Sequence, residues 1–160
     1  MAKISINIAT GSLQQQEMIV GIDLGTTNSL VAVIHPDSKK PSVLKEFDGV
    51  ALVPSVIHFG EGGIVSVGDM AKTKLIEEPQ NTIFSVKRLM GKSHNDVKQY
   101  TGFYTYKVID DNTDSLVKVQ VGDKFYSPIE LSSYILKELK KRAEANFKNP
   151  VKKTGETGTS

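Results

Sequence analysis

The sequence predicts a mixed α/β protein, α+β in the order of its elements, in which short strands precede one long helix. Two β-branched runs of strand length lie within residues 18–34 and are joined by a compact polar turn. Further short strands, separated by turns that contain glycine, are predicted between residues 42 and 126. Apolar residues then recur every four positions from residue 131 to residue 147, which predicts a long amphipathic helix.

The composition is that of a globular protein without a strong charge bias. Charged residues make up 24% of the chain and hydrophobic residues 39%, and the formal net charge is +2. A charge this small does not favour nucleic acid or an anionic membrane as a partner. The chain has no cysteine, so disulfides and thiolate metal sites are excluded. No segment approaches the roughly 18 consecutive apolar residues of a membrane span, and the amino terminus lacks a signal-peptide core. A cytoplasmic location is the default expectation.

The turn between the first two strands contains the groups that a phosphate site needs. Asp23 ends the first strand and is followed by a run of small and hydroxyl-bearing residues, namely Gly25, Thr26, Thr27, Asn28 and Ser29. Backbone N–H groups in such a turn can converge on phosphate oxygens. The threonine hydroxyls add donors, Gly25 can adopt a positive φ, and Asp23 can hold Mg²⁺ through its water ligands.

An ordinary hairpin turn is the competing interpretation of the same residues, because Asp, Gly, Asn and Ser are common in turns of every kind. Two other phosphate-binding motifs are excluded. A Walker A loop and a dinucleotide fingerprint both open a helix, whereas here a second strand follows the turn.

The segments on either side of this hairpin predict further strands. Residues 1–17 alternate isoleucine with polar residues and then become rich in glutamine, which predicts a short edge strand and a flexible linker. Residues 42–47 predict a third strand, and residues 53–59 and 64–67 predict a second hairpin. The histidines at positions 35, 58 and 94 have no second metal ligand nearby in sequence, so packed or surface roles are expected for them.

Two helices are predicted after the second hairpin. Asp69 is a candidate N-cap for a helix over residues 69–78. Asn81 is a candidate N-cap for a helix over residues 82–90, closed by Gly91, in which Ile83, Val86 and Met90 share one face.

Lys87 and Arg88 lie beside that apolar face. From the pattern alone, Lys87 is most simply a solvated lysine that stabilises the end of a helix.

The carboxyl-terminal half predicts a meander and then the long helix. Strands are expected over residues 103–109, 116–121 and 124–126. Ser127, Pro128 and Glu130 form the signature of a capping box with proline in the first helical position. The basic residues of this helix, centred on residues 137–142, are interpreted as a solvated face rather than as a docking site for an acidic partner.

Two segments carry a family resemblance. Gly21-Ile-Asp-Leu-Gly-Thr-Thr-Asn-Ser29 resembles the first phosphate loop of the seventy-kilodalton heat-shock chaperones. Asn81-Thr-Ile-Phe-Ser-Val-Lys-Arg-Leu-Met-Gly91 is similar to their lysine-bearing segment, and Pro54-Ser-Val56 and the capped long helix follow the family order. The resemblance implies an actin-like ATPase, ribonuclease H-like first lobe, truncated here, with an inserted small subdomain.

The domain divisions follow from that resemblance. It implies a flexible leader (residues 1–17), the opening strands of the first lobe with the phosphate hairpin (18–47), and the inserted small subdomain (48–126). A long helix returning to the first lobe (127–149) and a flexible tail (150–160) complete the chain. The opening strands would then have an exposed sheet edge, where an edge-strand dimer of this chain can form.

The same resemblance implies roles for individual residues. Asp23 would belong to the Mg²⁺–water site, and Gly25, Thr26, Thr27 and Asn28 would line the β- and γ-phosphates of ATP or ADP. Lys87, rather than Arg88, would reach the γ-phosphate and act with Asp23 in catalysis.

The resemblance implies that the intact protein is an ATP hydrolase that couples the nucleotide to client-peptide binding in a domain not present here. A J-domain co-chaperone and a nucleotide exchange factor are its expected partners. Asn28, the sequences of residues 53–58 and 85–93 and the amino-terminal leader resemble the HscA branch, which serves iron–sulfur cluster assembly, more than DnaK.

The expected function is therefore that of an amino-terminal piece of a chaperone ATPase, nearly inactive by itself because positioning by absent parts supplies much of phosphoryl-transfer catalysis. Two alternatives stay open. A sugar or acetate kinase of the same superfamily would share the phosphate hairpin, and a non-enzymatic interaction module would use the hairpin only as structure.

Overall fold

The computed structural model describes residues 2–9, 15–34, 37–45, 49, 51–110 and 115–148. Within these residues the chain forms two compact units. Unit 1 draws on the described residues of 1–24, 29–53 and 137–160, and unit 2 on those of 25–28 and 54–136. The mixed α/β class predicted from the sequence is confirmed by the elements of both units.

Unit 1 is built on an antiparallel sheet. Its strands β1 (Ala2–Ala9), β2 (Gln15–Asp23), β3 (Asn28–Ile34) and β4 (Pro41–Val43) are neighbours in that order, and β5 (Val53–Pro54) also pairs with β3. The predicted first hairpin is confirmed, with Val20 opposite Val33 and Ile22 opposite Val31. All four of these side chains are buried, because alternate residues of a strand share one face.

The amino-terminal segment is more regular than the sequence suggested. The predicted edge strand is present as β1, and it pairs with β2 from Ala2 opposite Ile22 to Ala9 opposite Gln15. Residues 2–9 and 15–17, expected within a flexible leader, are thus strand residues. The predicted third strand is observed only as β4, and residues 46–47 lie outside the described part of the chain.

Unit 2 contains two three-stranded antiparallel sheets. In the first, β6 (Val56–Phe59) lies between β7 (Val65–Val67) and β8 (Thr82–Phe84). In the second, β10 (Lys118–Val121) lies between β9 (Lys107–Ile109) and β11 (Lys124–Tyr126). The predicted second hairpin and the meander are both confirmed, with the strand of residues 53–59 divided at Ser55.

Three α-helices accompany these sheets in the described residues. They are α1 (Asp69–Glu77), α2 (His94–Val97) and α3 (Pro128–Lys148). The N-cap of α1 is Gly68, with φ of 87°, rather than the predicted Asp69, which is instead the first helical residue. A carboxylate there still interacts favourably with the positive end of the helix dipole.

The predicted capping box of α3 is confirmed. The Ser127 N–H donates to Glu130 Oε2 at 2.8 Å, and the Glu130 N–H donates to Ser127 Oγ at 3.1 Å. The predicted apolar stripe is also buried, at Leu131, Ile135, Leu139 and Ala143. Residues 128–136 group with unit 2 and the later described residues of the helix with unit 1.

The helix predicted over residues 82–90 is wrong. Thr82–Phe84 forms β8, in which Ile83 lies opposite Ile57 of β6. Ser85 has a left-handed backbone with φ of 56°, and Val86–Leu89 forms a single 3-10 turn. Leu89 is buried while Met90 is 37% exposed, so the apolar face inferred from helical spacing does not exist. Pairing with a distant strand outweighs a local periodicity only nine residues long.

The strand predicted over residues 103–109 is correct only at its end. Lys98–Phe103 forms a 3-10 segment and the strand begins at Lys107. Tyr106, just before β9, is buried and its hydroxyl donates to the Phe84 carbonyl at 2.6 Å. Burial raises the pKa of the Tyr106 phenol, with the nearby Tyr104 adding to the shift, which keeps this donor protonated.

Candidate functional site

The turn between β2 and β3 carries five of the six predicted site residues. Asp23 is the last residue of β2, opposite Leu30, and its side chain is exposed. Thr27 and Asn28 are exposed, while Gly25 and Thr26 are half-buried. Hydroxyl, amide and carboxylate groups are therefore accessible within one short turn, as a phosphate site requires.

Gly25 is required in this turn for close packing and not for its φ. The positive φ that glycine permits is not adopted at Gly25. A Cβ atom at Gly25 would instead overlap the carbonyl oxygen of Asn28. The turn is thus closed tightly enough that only glycine fits, the geometry that lets a backbone approach a ligand.

Ser55 supports the turn from the junction between β5 and β6. Its hydroxyl donates to the Gly25 carbonyl at 2.9 Å, and its N–H donates to the Thr27 carbonyl at 2.8 Å. Ser55 is only 2% exposed. Sequence reasoning noted this residue within a family motif but assigned it no role. The only local signal was a small polar residue inside an otherwise apolar strand.

Asp23 offers a carboxylate beside the turn for a metal. No group of three or more acidic, histidine or cysteine side chains that could hold a metal exists in the described residues. A site with several protein ligands is therefore absent from that part of the chain. Asp23 alone fits Mg²⁺, which commonly keeps most of its waters and uses one or two carboxylates.

Lys87 lies in the 3-10 turn after β8 and not on the predicted helix. Its side chain is exposed, as is that of Arg88. Among the described residues the Lys87 ammonium forms no ion pair and no hydrogen bond, including none with the residues of the turn at Gly25–Asn28. No carboxylate of the described residues thus neutralises its charge, and the exposed ammonium is accessible to an anion from solution.

His58 is a packed residue, as expected. It is 7% exposed, and its Nε2 donates to Glu78 Oε2 at 2.9 Å. Lys74 Nζ lies 3.6 Å from Glu78 Oε1. His94 similarly lies 3.1 Å from the carboxylate of Asp110. His35 lies outside the described residues.

The His58 interaction predicts a pH dependence of stability. The hydrogen bond from His58 is the main cause that lowers the pKa of Glu78, partial burial opposes it, and the charges of His58 and Lys74 reinforce it. A carboxyl whose pKa is lowered by folding stabilises the fold at pH values above its pKa in the unfolded chain, about 4.3. This stabilisation is lost as the pH falls through the pKa of the folded state. We expect Glu78→Gln to reduce the fall in the free energy of unfolding between pH 5 and pH 3, measured by urea titration. Glu61→Gln, at an exposed acid, is the control, and an equal change in both variants would contradict the prediction.

A polar cavity of about 420 Å³ also lies in unit 2. Its lining is rich in amide side chains and comprises Gln80, Asn81, Thr105, Tyr106, Lys107, Gln120 and Gly122. None of the predicted site residues lines it. In addition, no helix in the described part of the chain is long and apolar enough to cross a membrane.

Comparison with known proteins gives consistent matches. A family model described as Hsp70 protein matches residues 19–156. The chaperone protein HscA homolog of Acinetobacter baumannii is 41% identical over 138 residues, which cover 86% of this chain and 21% of that protein. The chain therefore spans about one fifth of the length of this relative. The matched region includes the turn at Gly25–Asn28, Ser55 and Lys87.

Proposed function

The chain belongs to the Hsp70 family, and we propose that it binds the phosphates of Mg·ATP or Mg·ADP through the turn at Gly25–Asn28. The observation that carries the proposal is this turn. It is closed so tightly that a Cβ at Gly25 would overlap a backbone oxygen, and it is bounded by exposed hydroxyl and carboxylate groups. Such a turn presents backbone N–H and hydroxyl donors to phosphate oxygens.

Asp23 is the proposed metal-side residue of this site. Mg²⁺, when bound with the nucleotide, neutralises charge on the phosphate oxygens. The exposed Asp23 carboxylate would accept hydrogen bonds from its water ligands. The hydroxyls of Thr26 and Thr27 would donate to the same phosphate groups.

Lys87 is the proposed catalytic cation. Its exposed ammonium has no carboxylate partner among the described residues, so it can contact the γ-phosphate without first breaking an ion pair. A cation there stabilises the charge on the phosphoryl oxygens in the transition state. ATP hydrolysis is accordingly the proposed activity of the whole protein.

In the whole protein this hydrolysis would drive binding and release of client peptides by a further domain. A J-domain co-chaperone, a nucleotide exchange factor and a cytoplasmic location are proposed with it. The identity with a chaperone protein HscA homolog supports the HscA branch of the family. Protein folding is the proposed process, and iron–sulfur cluster assembly is proposed as part of it on the resemblance to that branch. The edge strand β1 is proposed as the site of a dimer of this chain, since an edge strand offers unpaired backbone groups.

Thermal unfolding of the chain with and without Mg·ATP tests nucleotide binding. A ligand that binds only the folded state at ten times its Kd stabilises by about 1.4 kcal/mol, which raises the midpoint by roughly 3–5 °C for a chain of this length. We expect Thr27→Ala to reduce this shift and Thr73→Ala, at an exposed threonine of α1, to leave it unchanged. No shift at any Mg·ATP concentration would favour the interaction-module alternative, and phosphate transfer to a sugar or acetate would favour the kinase alternative.

A further inference from the structure

Ser55 is buried, yet both of its donors point to the phosphate turn. The hydroxyl donates to the Gly25 carbonyl at 2.9 Å and the N–H to the Thr27 carbonyl at 2.8 Å. Gly25 and Ser55 are 30 residues apart in sequence. One residue between β5 and β6 thereby fixes two alternate peptide groups of the turn between β2 and β3, one through its hydroxyl and one through its backbone N–H.

The direction of these two carbonyls determines the direction of two N–H groups. In a trans peptide the C=O of one residue and the N–H of the next lie in one plane and point in opposite directions. None of the described peptide bonds is cis. Because the carbonyls of Gly25 and Thr27 point to Ser55, the N–H groups of Thr26 and Asn28 point to the opposite face of the turn.

We propose that Ser55 is a positioning residue for phosphate binding, because it holds the turn so that the N–H groups of Thr26 and Asn28 face the nucleotide phosphates. The inference rests on the proposed function of the turn. Ser55 itself does not touch the nucleotide, since it lies on the carbonyl side of the turn. Its contribution is preorganisation, which lowers the cost of ordering a loop when a ligand binds.

The backbone contact and the side-chain contact have different consequences for variants. The hydrogen bond from the Ser55 N–H to the Thr27 carbonyl can form with any residue except proline at position 55. The hydrogen bond from the Ser55 hydroxyl to the Gly25 carbonyl is lost in Ser55→Ala. That variant therefore frees the Gly25–Thr26 peptide group while the fold is retained. The matched control is Ser132→Ala, which removes another buried hydroxyl of unit 2, one that donates to the Pro128 carbonyl at 2.8 Å.

The first measurement is the ¹⁵N–¹H heteronuclear NOE of Thr26, Thr27 and Asn28 in the ligand-free chain. We expect the NOE of Thr26 to fall most in Ser55→Ala, because the Ser55 N–H still holds the Thr27 carbonyl. All three NOEs should remain at the parent values in Ser132→Ala. Isothermal titration with Mg·ATP then measures the consequence for binding. We expect the Kd to rise about 5- to 10-fold in Ser55→Ala, the factor that corresponds to one lost buried hydrogen bond, and to change less than 2-fold in Ser132→Ala.

The outcomes separate this inference from the proposed function. Unchanged NOEs in Ser55→Ala, or a loosened turn with unchanged Mg·ATP affinity, would overturn the positioning role while a binding-competent parent chain still supported the proposed function. A parent chain without measurable Mg·ATP affinity would overturn the proposed function, and the phosphate part of the Ser55 inference with it.

Discussion

Replacing Gly25 by alanine is expected to weaken Mg·ATP binding by at least about 10-fold and to destabilise the fold by about 1–3 kcal/mol, the usual cost of overpacking. The added Cβ would overlap the Asn28 carbonyl oxygen, which is backbone and cannot rotate away as a side chain could. The turn must therefore open. Opening moves the Thr26 and Asn28 peptide groups, which are the proposed phosphate donors.

Gly102→Ala is the matched control for this prediction. A Cβ at Gly102 meets nothing within 4 Å, and the φ of Gly102 is not positive. Alanine there reduces the entropy of the unfolded chain without a clash, so a neutral or slightly stabilising effect of up to about 1 kcal/mol is expected. Urea unfolding and Mg·ATP titration of both variants are the measurements. A Gly25→Ala variant as stable and as tightly binding as Gly102→Ala would show that the turn is not closed as described.

The features predicted correctly from the sequence are those fixed by neighbouring residues. The capping box of α3 links Ser127 and Glu130, three positions apart, and both of its hydrogen bonds form. The β2–β3 hairpin combines two β-branched runs with one turn, so its register follows from local chemistry. The similarity of these segments to family sequences also predicted the actin-like ATPase fold class, which membership of the Hsp70 family confirms.

The features that were missed depend on residues far apart in sequence. Thr82–Phe84 is a strand because β6, more than 20 residues earlier, offers a pairing edge. His58 meets Glu78 across 20 positions, and Ser55 meets Gly25 across 30. No spacing rule within one element relates such residues, so pattern analysis could identify each of them only as a packed or polar residue.

The site shows the same division. The sequence identifies the donors of the turn but cannot distinguish a phosphate site from an ordinary turn, because many turns contain the same residue types. This turn is distinguished by the close approach of the Gly25 backbone to Asn28 and by the hydrogen bonds from Ser55. Both features are visible only in the three-dimensional structure. Lys87 was identified from the similarity of its segment to family sequences. The structure places it on a 3-10 turn instead of a helix.

Lys87→Ala is expected to weaken binding of Mg·ATP by about 10-fold or more and to leave binding of Mg·ADP nearly unchanged. A charge-assisted hydrogen bond contributes about 1.5–3 kcal/mol when it forms, and the proposed contact is with the γ-phosphate, which ADP lacks. The exposed ammonium has no protein partner among the described residues, so its removal leaves no unpaired carboxylate in that part of the chain. Stability of the ligand-free chain should accordingly change by less than about 0.5 kcal/mol.

Arg88→Ala separates a specific contact from a general field effect. Arg88 is adjacent, exposed and of the same charge, and it belongs to the same 3-10 turn, so both variants lower the net charge equally. If Lys87 contacts the γ-phosphate, only Lys87→Ala raises the ratio of the ATP Kd to the ADP Kd. If the two basic residues act only through long-range attraction, both variants weaken the binding of ATP and of ADP by similar factors. Added salt should then remove the difference in Kd between each variant and the parent, because exposed charges are screened over about 10 Å at 0.1 M. Titration of both nucleotides at two salt concentrations decides between these cases, and equal losses in the two variants would refute the catalytic assignment of Lys87.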